Sequence, residues 1–513
     1  MTIFRHGREQ MKIKVPNSAR NWISLIGATV ALISFFMIVF LFAVTILFEQ
    51  RSTYIGLTIY ILLPSVMIVG LLVIPIGMWR KTKKEKGKEP ATEMRWPRID
   101  LNDIRHRHGF FIFAFTTIIL LFASALGSYQ AFHLTESTAF CGKLCHSVMK
   151  PEYTAYQQSP HARVNCVECH VGPGADWYVR SKLSGLRQVY AVLADTYPRP
   201  IPTPIENLRP ARAVCEQCHW PRKFFPRNLV SKSYFLPDED NTRWDLTLVM
   251  KVAAEQPARG LKEGAHWHVR EGVHIDYHAR DEKRQEIDWV RMVDMETGET
   301  RIFFDQDNPP EQMPEANTIR TMDCVDCHNR PSHRFSSPRR FVNEALGAGE
   351  ISPDLPNIKQ TAVDACAKKY SSQEAAQKGL AEELLNFYQV NYPDIYKKDR
   401  AGIEKSITAL QTAYSKNIFP EMNARWSAYP IFRGHMEYPG CFRCHDGRHT
   451  SKDGETISHD CNRCHRIIAQ GIKGDDYETV PAEGSLEFRH PEPIDEMWKE
   501  MLCSDCHGGL GGS

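Results

Sequence analysis

The sequence predicts a mainly α-helical protein with three transmembrane helices at its N-terminus and a small inserted β-subdomain. Three features predict this fold: long apolar segments within the first 133 residues, seven short-spaced cysteine pairs each followed by histidine, and a cysteine-free stretch with alternating apolar residues. The 513 residues exceed what one core usually supports, so several domains are expected. The net charge of +2 indicates neither an acidic nor a basic partner.

The apolar segments are residues 22–48, 54–79 and about 110–132. Each provides about 20 mainly apolar residues without an interior charge, which is the length that spans a bilayer. The first segment is longer than the apolar core of a cleaved signal peptide, so an uncleaved signal anchor is favoured. Pro64 and Pro75 are tolerable in the second span, because neighbouring helices satisfy the freed backbone groups.

Basic residues predict the orientation of these spans. They are frequent before the first span and between the second and third, whereas the link between the first two spans has only Arg51. By the positive-inside rule the N-terminus is cytoplasmic and everything after about residue 133 lies outside. A nucleic-acid site is the competing interpretation of the basic run 81–88, but its position beside a helix end favours lipid headgroups and no nucleic acid.

The cysteine pairs predict a multihaem c-type cytochrome. In C-x-x-C-H both thiols bond to the porphyrin and the histidine ligates the iron. A zinc half-site or a redox dithiol is the alternative for one pair, but neither requires histidine after the second cysteine seven times. The motifs are Cys141/Cys145–His146, Cys166/Cys169–His170, Cys215/Cys218–His219, Cys324/Cys327–His328, Cys441/Cys444–His445, Cys461/Cys464–His465 and Cys503/Cys506–His507. The first is atypical, with three intervening residues, and the unpaired Cys366 is expected to be a packed thiol.

Residues 128–219, with FCGKLCHSVMKPEY, SPHARVNCVECH and CEQCH in this order, and CVDCHNRPSH at 324–333 resemble the NapC/NirT/NrfH family of membrane-anchored quinol dehydrogenases. The resemblance implies that the first iron is ligated by His146 or Met149, and that His161 crosses to another haem. It also implies that His333 reaches a neighbouring haem, which agrees with its position too close to His328 to bend back onto the same iron.

The family resemblance also implies a quinol pocket. Lys182 lies where the family places a lysine, and such a lysine hydrogen-bonds a quinol oxygen and favours its deprotonation. The family usually has an aspartate shortly afterwards, whereas this sequence has Gln188, with Asp195 further on. We therefore place Lys182, Gln188 and Asp195 around the pocket. The alternative is that Lys182 is an interfacial lysine that extends its amine to the headgroups.

The cysteine-free insertion at about 221–320 predicts strands. Apolar residues alternate with polar ones between 273 and 277, and a Gly-Glu turn at 298–299 separates two β-rich runs. Four histidines have even numbers and would share a face on continuous strands, namely His266, His268, His274 and His278. A strand histidine is ordinarily solvated or hydrogen-bonded. Beside irons that need sixth ligands we expect at least one ligand here, His266 or His268 first and His274 next.

The C-terminal half predicts packing helices over 351–430, including a capping box from Ser371 to Glu374. Three more haem motifs follow, and the candidate distal ligands among them are His435, His449, His459 and His490. Ligation by two histidines fills both axial positions of an iron and favours electron transfer over catalysis. The expected domains are a cytoplasmic N-terminus (1–21), a membrane anchor (22–133), a tetrahaem domain with the insertion (134–335), a helical spacer (336–430) and a trihaem segment (431–513).

The resemblance implies an inner-membrane quinol dehydrogenase that passes electrons from menaquinol through seven haems to periplasmic multihaem or small c-type cytochromes. The three additional haem motifs are similar to those of heptahaem inner-membrane cytochromes of metal-reducing bacteria, which implies anaerobic metal or extracellular respiration. The alternatives are a terminal reductase of a small oxyanion, which a C-x-x-C-K motif absent from this sequence would support, and a non-catalytic electron-relay subunit. Electron flow in the reverse direction would use the same parts.

Overall fold

The structure, a computed structural model, divides the chain into two compact units, residues 1–145 and 146–513, which are described separately. The described residues are 21–47, 58–86, 100–144, 146–172, 175–204, 209–220, 223–253 and 264–508. The N-terminal basic residues and much of the basic link before residue 100, on which the predicted orientation depends, lie outside these ranges.

The first unit is helical. Its elements are α1 (Trp22–Leu47), a π-helical turn (Thr58–Leu62), α2 (Leu63–Lys86), α3 (Ile104–Glu136) and α4 (Thr138–Lys143). Within the described residues two helical stretches, Trp22–Leu41 and Leu63–Lys84, are long and apolar enough to cross a membrane. The helix α3 contains the third predicted span, and α2 continues past the predicted end at residue 79 with Pro75 inside it.

Glycines allow α1 and α2 to pack closely. A Cβ atom on Gly27 would lie 2.7 Å from the carbonyl oxygen of Gly70, and one on Gly70 would lie 2.9 Å from the backbone nitrogen of Ala31. Nearby, the Ser24 hydroxyl donates to the Ile74 carbonyl at 2.9 Å. Small residues at such crossings let membrane helices approach until their backbones are in contact. The two helices α1 and α2 therefore pack closely against each other.

The second unit begins with short helices that carry haem motifs and continues into two antiparallel sheets. The helices are α5 (His146–Gln157), α6 (Cys166–His170), α7 (Ala175–Leu193) and α8 (Ala211–Cys215). The strands are β1 (Arg227–Phe235), β2 (Arg243–Lys251), β3 (Val273–Ala279), β4 (Ile287–Asp294), β5 (Thr300–Asp305), β6 (Arg320–Thr321), β7 (His449–Ser451), β8 (His465–Gly471) and β9 (Glu478–Thr479). The strand orders are β1-β2-β8-β9 and β6-β3-β4-β5-β7.

Both sheets combine the insertion with the C-terminal segment. The insertion provides β1 to β6, while β8 pairs with β2 and β7 pairs with β5. Gly298, in the predicted turn, has a φ of 75° between β4 and β5. His266 and His268 lie in a 3-10 turn (Ala265–Val269), whereas β3 begins at Val273, so the expectation that all four histidines share a strand face is wrong. Local alternation does not show where a strand begins.

A helical bundle connects the two halves of the second unit. It comprises α9 (Pro338–Gly347), α10 (Ile358–Ala367), α11 (Gln373–Asn391), α12 (Pro393–Lys398) and α13 (Arg400–Asn417), and α14 (Cys503–His507) ends the described chain. The N-cap of α11 is Ser372, whose hydroxyl accepts from the Ala375 N–H at 3.1 Å. The predicted capping box from Ser371 is therefore wrong by one residue, although Glu374 does lie in the first turn.

Apolar side chains fill the centre of this bundle. Leu380, Leu384 and Leu410 are fully buried, and the thiol of Cys366 lies among them with 1% of the residue exposed. Burial raises the pKa of Cys366 well above its ordinary value, which keeps the thiol protonated and unreactive. The interpretation of Cys366 as a packed thiol agrees with this position.

Candidate haem sites

The haem motifs adopt a common local structure. Each of the six later motifs lies in or directly after a short helical turn. In the third and fourth motifs the backbone N–H of the histidine donates to the backbone carbonyl of the first cysteine. The distance is 2.8 Å both from His219 to Cys215 and from His328 to Cys324. One turn therefore holds the two thiols and the imidazole within a few ångströms of each other. None of the described motif cysteines forms a disulfide, so their thiols are available for thioether bonds.

The predicted thioether cysteines are not enclosed by protein to the same extent. Cys169, Cys218 and Cys506, each the second cysteine of its motif, are exposed, whereas Cys327 and Cys444 at the same position of the fourth and fifth motifs are partly buried. The difference is local, because the second, third and seventh motifs lie in or directly after short surface helices, α6, α8 and α14. Exposure does not test the thioether role of Cys169, Cys218 and Cys506, which stays a prediction from the C-x-x-C-H motif.

A second histidine faces the motif histidine in each of these six motifs. The pairs, with the motif residue first, are His170 with His333, His219 with His161, His328 with His266, His445 with His268, His465 with His435 and His507 with His490. The centres of the paired rings are 5.7–6.2 Å apart. Some partners come from distant parts of the chain, since His268 and His445 are 177 positions apart.

This spacing fits axial ligation of one iron by two imidazoles. Because a metal–imidazole nitrogen bond is about 2.0 Å long, two imidazoles on opposite sides of a metal ion have coordinating nitrogens about 4 Å apart and ring centres about 6 Å apart. In the tightest pair the Nε2 atoms of His268 and His445 are 3.5 Å apart. The residues present therefore fit the haem irons that the motifs predict.

Backbone carbonyls select the ligating tautomer in several pairs. The Nδ1 atom lies 2.8 Å from the Val252 carbonyl in His266 and 3.0 Å from the Ser458 carbonyl in His445. A carbonyl only accepts, so Nδ1 carries the proton and the lone pair of Nε2 is free for a metal. Outer hydrogen bonds of this kind orient metal-ligating histidines.

Burial keeps several of the paired imidazoles neutral. Loss of contact with water lowers the pKa of His268, His328 and His435 to about 4 in each case. Burial also lowers the pKa of His170 and His465. The neutral ring is the form that ligates iron, because the protonated ring has no free lone pair. The site is therefore poised for ligation over the physiological pH range.

Three sequence candidates do not face a motif histidine. His274 is exposed on β3, and His459 is exposed in the loop before the sixth motif. The Nδ1 atom of His278 lies 2.7 Å from the carboxylate of Asp288. His278 is therefore hydrogen-bonded to a carboxylate within the sheet and has a structural role there.

His449, a further candidate, is fully buried but uses both ring nitrogens elsewhere. Its Nδ1 lies 3.0 Å from the carboxylate of Asp446, and its Nε2 lies 3.0 Å from the carbonyl of Ile287. Neither nitrogen is left for an iron. Through these hydrogen bonds His449 connects β7 to β4, the strand that begins at Ile287.

Motifs that follow each other in the chain are also neighbours in space. The helices α6 and α8, which carry the second and third motifs, contact each other. The thiols of Cys215 and Cys324 lie close enough to shift each other's pKa, so the third motif is a neighbour of the fourth. The guanidinium of Arg443, inside the fifth motif, donates to the carbonyl of Asp326, inside the fourth, at 2.7 Å.

The remaining motifs continue this order. Burial and the neighbouring Cys441 thiol of the fifth motif raise the pKa of Cys464 to about 11. In the same way, burial and the Cys461 thiol raise the pKa of Cys503 in the seventh motif. Each of motifs two to six therefore has the next motif in the chain as a spatial neighbour, an arrangement suited to stepwise electron transfer.

The first motif is only partly described. Cys141 lies in α4 and Met149 lies half-buried in α5. Cys145 and the side chain of His146 lie outside the described residues, so the choice between His146 and Met149 stays as the sequence left it.

The predicted quinol residues lie on or beside one helix but do not converge. The Nζ atom of Lys182, on α7, lies 4.9 Å from the ring centre of Tyr178. On an α-helix Gln188 lies about 9 Å further along and about 120° around from Lys182. Asp195 follows the end of α7, roughly 17 Å along the axis, and pairs with Arg199 at 2.5 Å. The helix does not bring these three side chains together.

An apolar stripe runs along the exposed side of α7. Its members recur every three or four residues, and each is 46–83% exposed: Val179, Leu183, Leu186, Val189, Tyr190 and Leu193. Lys182 borders this stripe, whereas Gln188 points about 180° away from its centre. Within its own unit the helix therefore presents an apolar surface with a lysine at the edge.

Sequence reasoning missed the ion pair that supports His333. Arg330 and Glu152 are 178 residues apart in the chain, yet the Nη2 atom lies 3.0 and 3.2 Å from the two carboxylate oxygens. The backbone carbonyl of the same Glu152 accepts from His333 Nδ1 at 3.0 Å. The only local signal was an arginine three residues before His333, and no local pattern predicts its partner.

Comparisons with known proteins agree with these features. Residues 104–200 match the model of the NapC/NirT cytochrome c family, N-terminal region. The chain is 43% identical over 491 residues to the cytochrome c-type protein ImcH of Geobacter sulfurreducens, covering 95% of both chains. It is 30% identical over 112 residues to the cytochrome c-type protein NrfH of Wolinella succinogenes, covering 20% of this chain and 62% of that protein. No solved structure matches the chain significantly.

These matches, together with the two apolar helices, identify a membrane-anchored electron-transport cytochrome with covalently bound haem c. The match to the family model covers α3 to the loop after α7, and the match to the Geobacter protein extends over the insertion, the bundle and the C-terminal motifs. The chain belongs to the NapC/NirT cytochrome c family.

Proposed function

We propose that this protein oxidises menaquinol at the inner membrane and passes the electrons through seven haems to periplasmic c-type cytochromes, feeding anaerobic metal or extracellular respiration. The observation that carries the proposal is the exposed apolar stripe of α7 with Lys182 at its edge, within the segment that matches the family model. A lipid-soluble quinol reaches its oxidant along an apolar surface, and a cation beside that surface can contact its hydroxyl group.

Oxidation of the quinol releases two electrons and two protons. The Lys182 ammonium hydrogen-bonds a quinol oxygen and stabilises the negative charge that develops as its proton leaves. Gln188 carries no group that accepts a proton, and Asp195 lies at the far end of the helix, so the proposed pocket is centred on Lys182 alone. Both protons pass to water on the outer side of the membrane.

The motifs supply the covalent and proximal ligands of seven haems, which accept and pass one electron at a time when bound. The first haem is attached by Cys141 and Cys145, with His146 or Met149 as an axial ligand. At the six later haems each facing histidine is the proposed second axial ligand. Backbone carbonyls orient His266, His268 and His333, and burial lowers the pKa of His268, His333 and His435, so that these neutral rings would be held ready to ligate iron.

The proposed topology has three transmembrane spans, with the N-terminus in the cytoplasm and all haems in the periplasm. Support comes from the distribution of basic residues in the sequence and from the 33-residue length of α3. In a chain with three spans, residues beyond Glu136 lie on the side opposite to the N-terminus. Bacterial haem c attachment takes place on that side, so topology and cofactor agree.

A terminal reductase at one of the six later irons has less support. Such an enzyme keeps an axial position open for its substrate, whereas a histidine faces every described motif histidine. A high-spin signal in the oxidised wild-type protein would favour the reductase, and the first haem would then be the place to look.

The test mixes the detergent-solubilised holoprotein with a menaquinol analogue and follows haem absorbance. Wild type is expected to be reduced, Lys182→Ala to be reduced at least tenfold more slowly at saturating quinol, and the control Arg180→Ala to match wild type. Reduction of wild type by dithionite but not by the quinol would refute quinol oxidation. Equal rates for wild type and Lys182→Ala would refute the pocket but leave quinol oxidation standing.

A further inference from the structure

We propose that the 3-10 turn Ala265–Val269 ligates two different haems, His266 the haem of the fourth motif and His268 the haem of the fifth. The insertion would then be the element that joins the four haems of the family-like segment to the three C-terminal haems. The inference rests on haem attachment at these motifs and is independent of which molecule reduces the protein.

The two histidines face two different motif histidines. The His266 ring is 6.2 Å from the His328 ring at an interplanar angle of 12°. The His268 ring is 5.7 Å from the His445 ring at 86°, with 3.5 Å between the Nε2 atoms. Both ring distances match the roughly 6 Å expected for two imidazoles on one metal ion.

The geometry of the turn explains why adjacent histidines serve separate irons. A 3-10 helix has about three residues per turn, so side chains two positions apart point about 120° away from each other. Two such imidazoles cannot lie on opposite sides of the same iron. They can each reach one of two irons placed on different sides of the turn.

Each ring is oriented by its own backbone acceptor. His266 Nδ1 lies 2.8 Å from the Val252 carbonyl, and His268 Nδ1 lies 2.9 Å from the Ala265 carbonyl. The acceptors are different atoms on different segments, so each ring is held independently. In both cases the protonated Nδ1 leaves the lone pair of Nε2 for a metal ion.

The turn itself is firmly positioned. Gly264, directly before it, has a φ of 109°, and a Cβ atom there would collide with the carbonyl oxygen of Ala253. The His266 N–H donates to the Val252 carbonyl at 3.2 Å. Between the two histidines, Trp267 packs against the apolar cluster of the five-stranded sheet. Packing against the sheet thus fixes the position of the turn that carries both histidines.

The fourth and fifth motifs lie side by side, as two irons bridged by one turn require. The buried Arg443 side chain, in the fifth motif, donates from Nη2 to the Asp326 carbonyl in the fourth at 2.7 Å. Its Nη1 donates to the Arg284 carbonyl in the insertion at 2.9 Å. One guanidinium therefore binds both motifs and the insertion together, on contacts separate from those of the histidines.

The test counts high-spin haems in the ferric full-length protein by electron paramagnetic resonance and visible absorption. His266→Ala and His268→Ala are each expected to convert one of the seven haems to high spin, and the double variant two. Trp267→Phe, between them, is the matched control and should show the same number of high-spin haems as wild type. His268→Met should restore a low-spin iron with a new sulfur-to-iron absorption band, which loss of folding would not produce.

A second background assigns the irons. Cys441→Ala combined with Cys444→Ala removes the fifth haem, which the mass of the protein verifies. In that background His268→Ala should add no high-spin haem, whereas His266→Ala should still add one. If neither single substitution in the seven-haem protein adds a high-spin haem to the wild-type number, or if the double variant adds only one, the proposal is overturned. Quinol plays no part in these measurements, so their failure is distinct from failure of the proposed function.

Discussion

Replacing Arg330 with alanine is expected to destabilise the protein and to loosen the ligand facing the second haem motif. The Arg330 side chain is 6% exposed and that of Glu152 is 15% exposed, and the two are 3.0 Å apart. The guanidinium also lies 4.1 Å from the ring centre of Tyr429. The same Glu152 accepts from His333, so the ion pair holds the backbone that orients the imidazole facing His170.

The magnitude follows from burial. Removing one partner of a buried ion pair leaves the other charge buried without compensation, which costs about 3–5 kcal/mol. Glu152→Gln leaves the arginine in the same situation and should cost a comparable amount. Arg330→Ala combined with Glu152→Gln removes both charges, so its cost should be clearly less than the sum of the single losses. The difference between the sum and the double loss measures the coupling between the two charges.

The assay is chemical denaturation of the solubilised holoprotein followed by circular dichroism, with the ferric haem spectrum recorded without denaturant. Arg330→Ala should lower the denaturation midpoint and produce a partial high-spin signal from one haem. The matched control is Lys378→Ala, which removes the exposed Lys378–Glu382 pair, 3.6 Å apart and more than 60% exposed on both sides. It should change stability by no more than about 0.5 kcal/mol.

Two results would refute this reasoning. An Arg330→Ala midpoint within error of the Lys378→Ala midpoint would show that the buried pair does not stabilise the fold. A large loss of stability with a wholly low-spin spectrum would show that the pair supports the fold without positioning His333.

Three further predictions concern other parts of the chain. Leu380→Ala empties a fully buried site in the bundle and should cost about 2–5 kcal/mol of unfolding free energy by denaturation, whereas Val390→Ala, at a position 67% exposed, should cost little. Leu186→Glu on the apolar stripe of α7 should slow reduction by menaquinol in liposomes but not by dithionite, whereas Ser184→Glu on another face should not; equal rates would argue against the stripe as the quinol approach. Alkaline phosphatase fused after Glu136 should be active in the periplasm, and an inactive, stable fusion would contradict the proposed topology.

Much of the fold could be predicted where the signal is local. The helices α1 and α2, the bundle helices α11 and α13 and the turn at Gly298 all follow from apolar periodicity or from single turn residues. Errors arose where a neighbour in space decides the outcome. The sheets recruit β7, β8 and β9 from the C-terminal segment, and no periodicity in the insertion indicates which distant strand completes its edge.

The candidate ligands show the same division. His266 and His268 were favoured among the four histidines of the insertion, but the strand argument behind the grouping was wrong because these two lie in a 3-10 turn. His449 looked equivalent to His435 and His490 by position. In the structure both of its ring nitrogens are occupied by hydrogen bonds, which no count of histidines could reveal.

The motif cysteines divide in a similar way. The spacing treats the second cysteine of every motif alike, yet Cys218 and Cys506 are exposed while Cys444 is partly buried beside the fourth motif. How far a thiol is buried depends on which distant segments pack over its turn. The five residues of the motif do not indicate which segments those are.

The sequence by itself determined the covalent chemistry of this protein, because two thiols and a histidine within five consecutive residues meet the same porphyrin whatever the rest of the chain does. It also determined the membrane anchor, since an apolar segment of sufficient length partitions into lipid independently of its partners. Only the tertiary structure decided which histidine faces which motif and in what order the motifs lie. Those pairings join residues as much as 177 positions apart, and the free energy that brings them together comes from packing and buried hydrogen bonds spread over the whole unit.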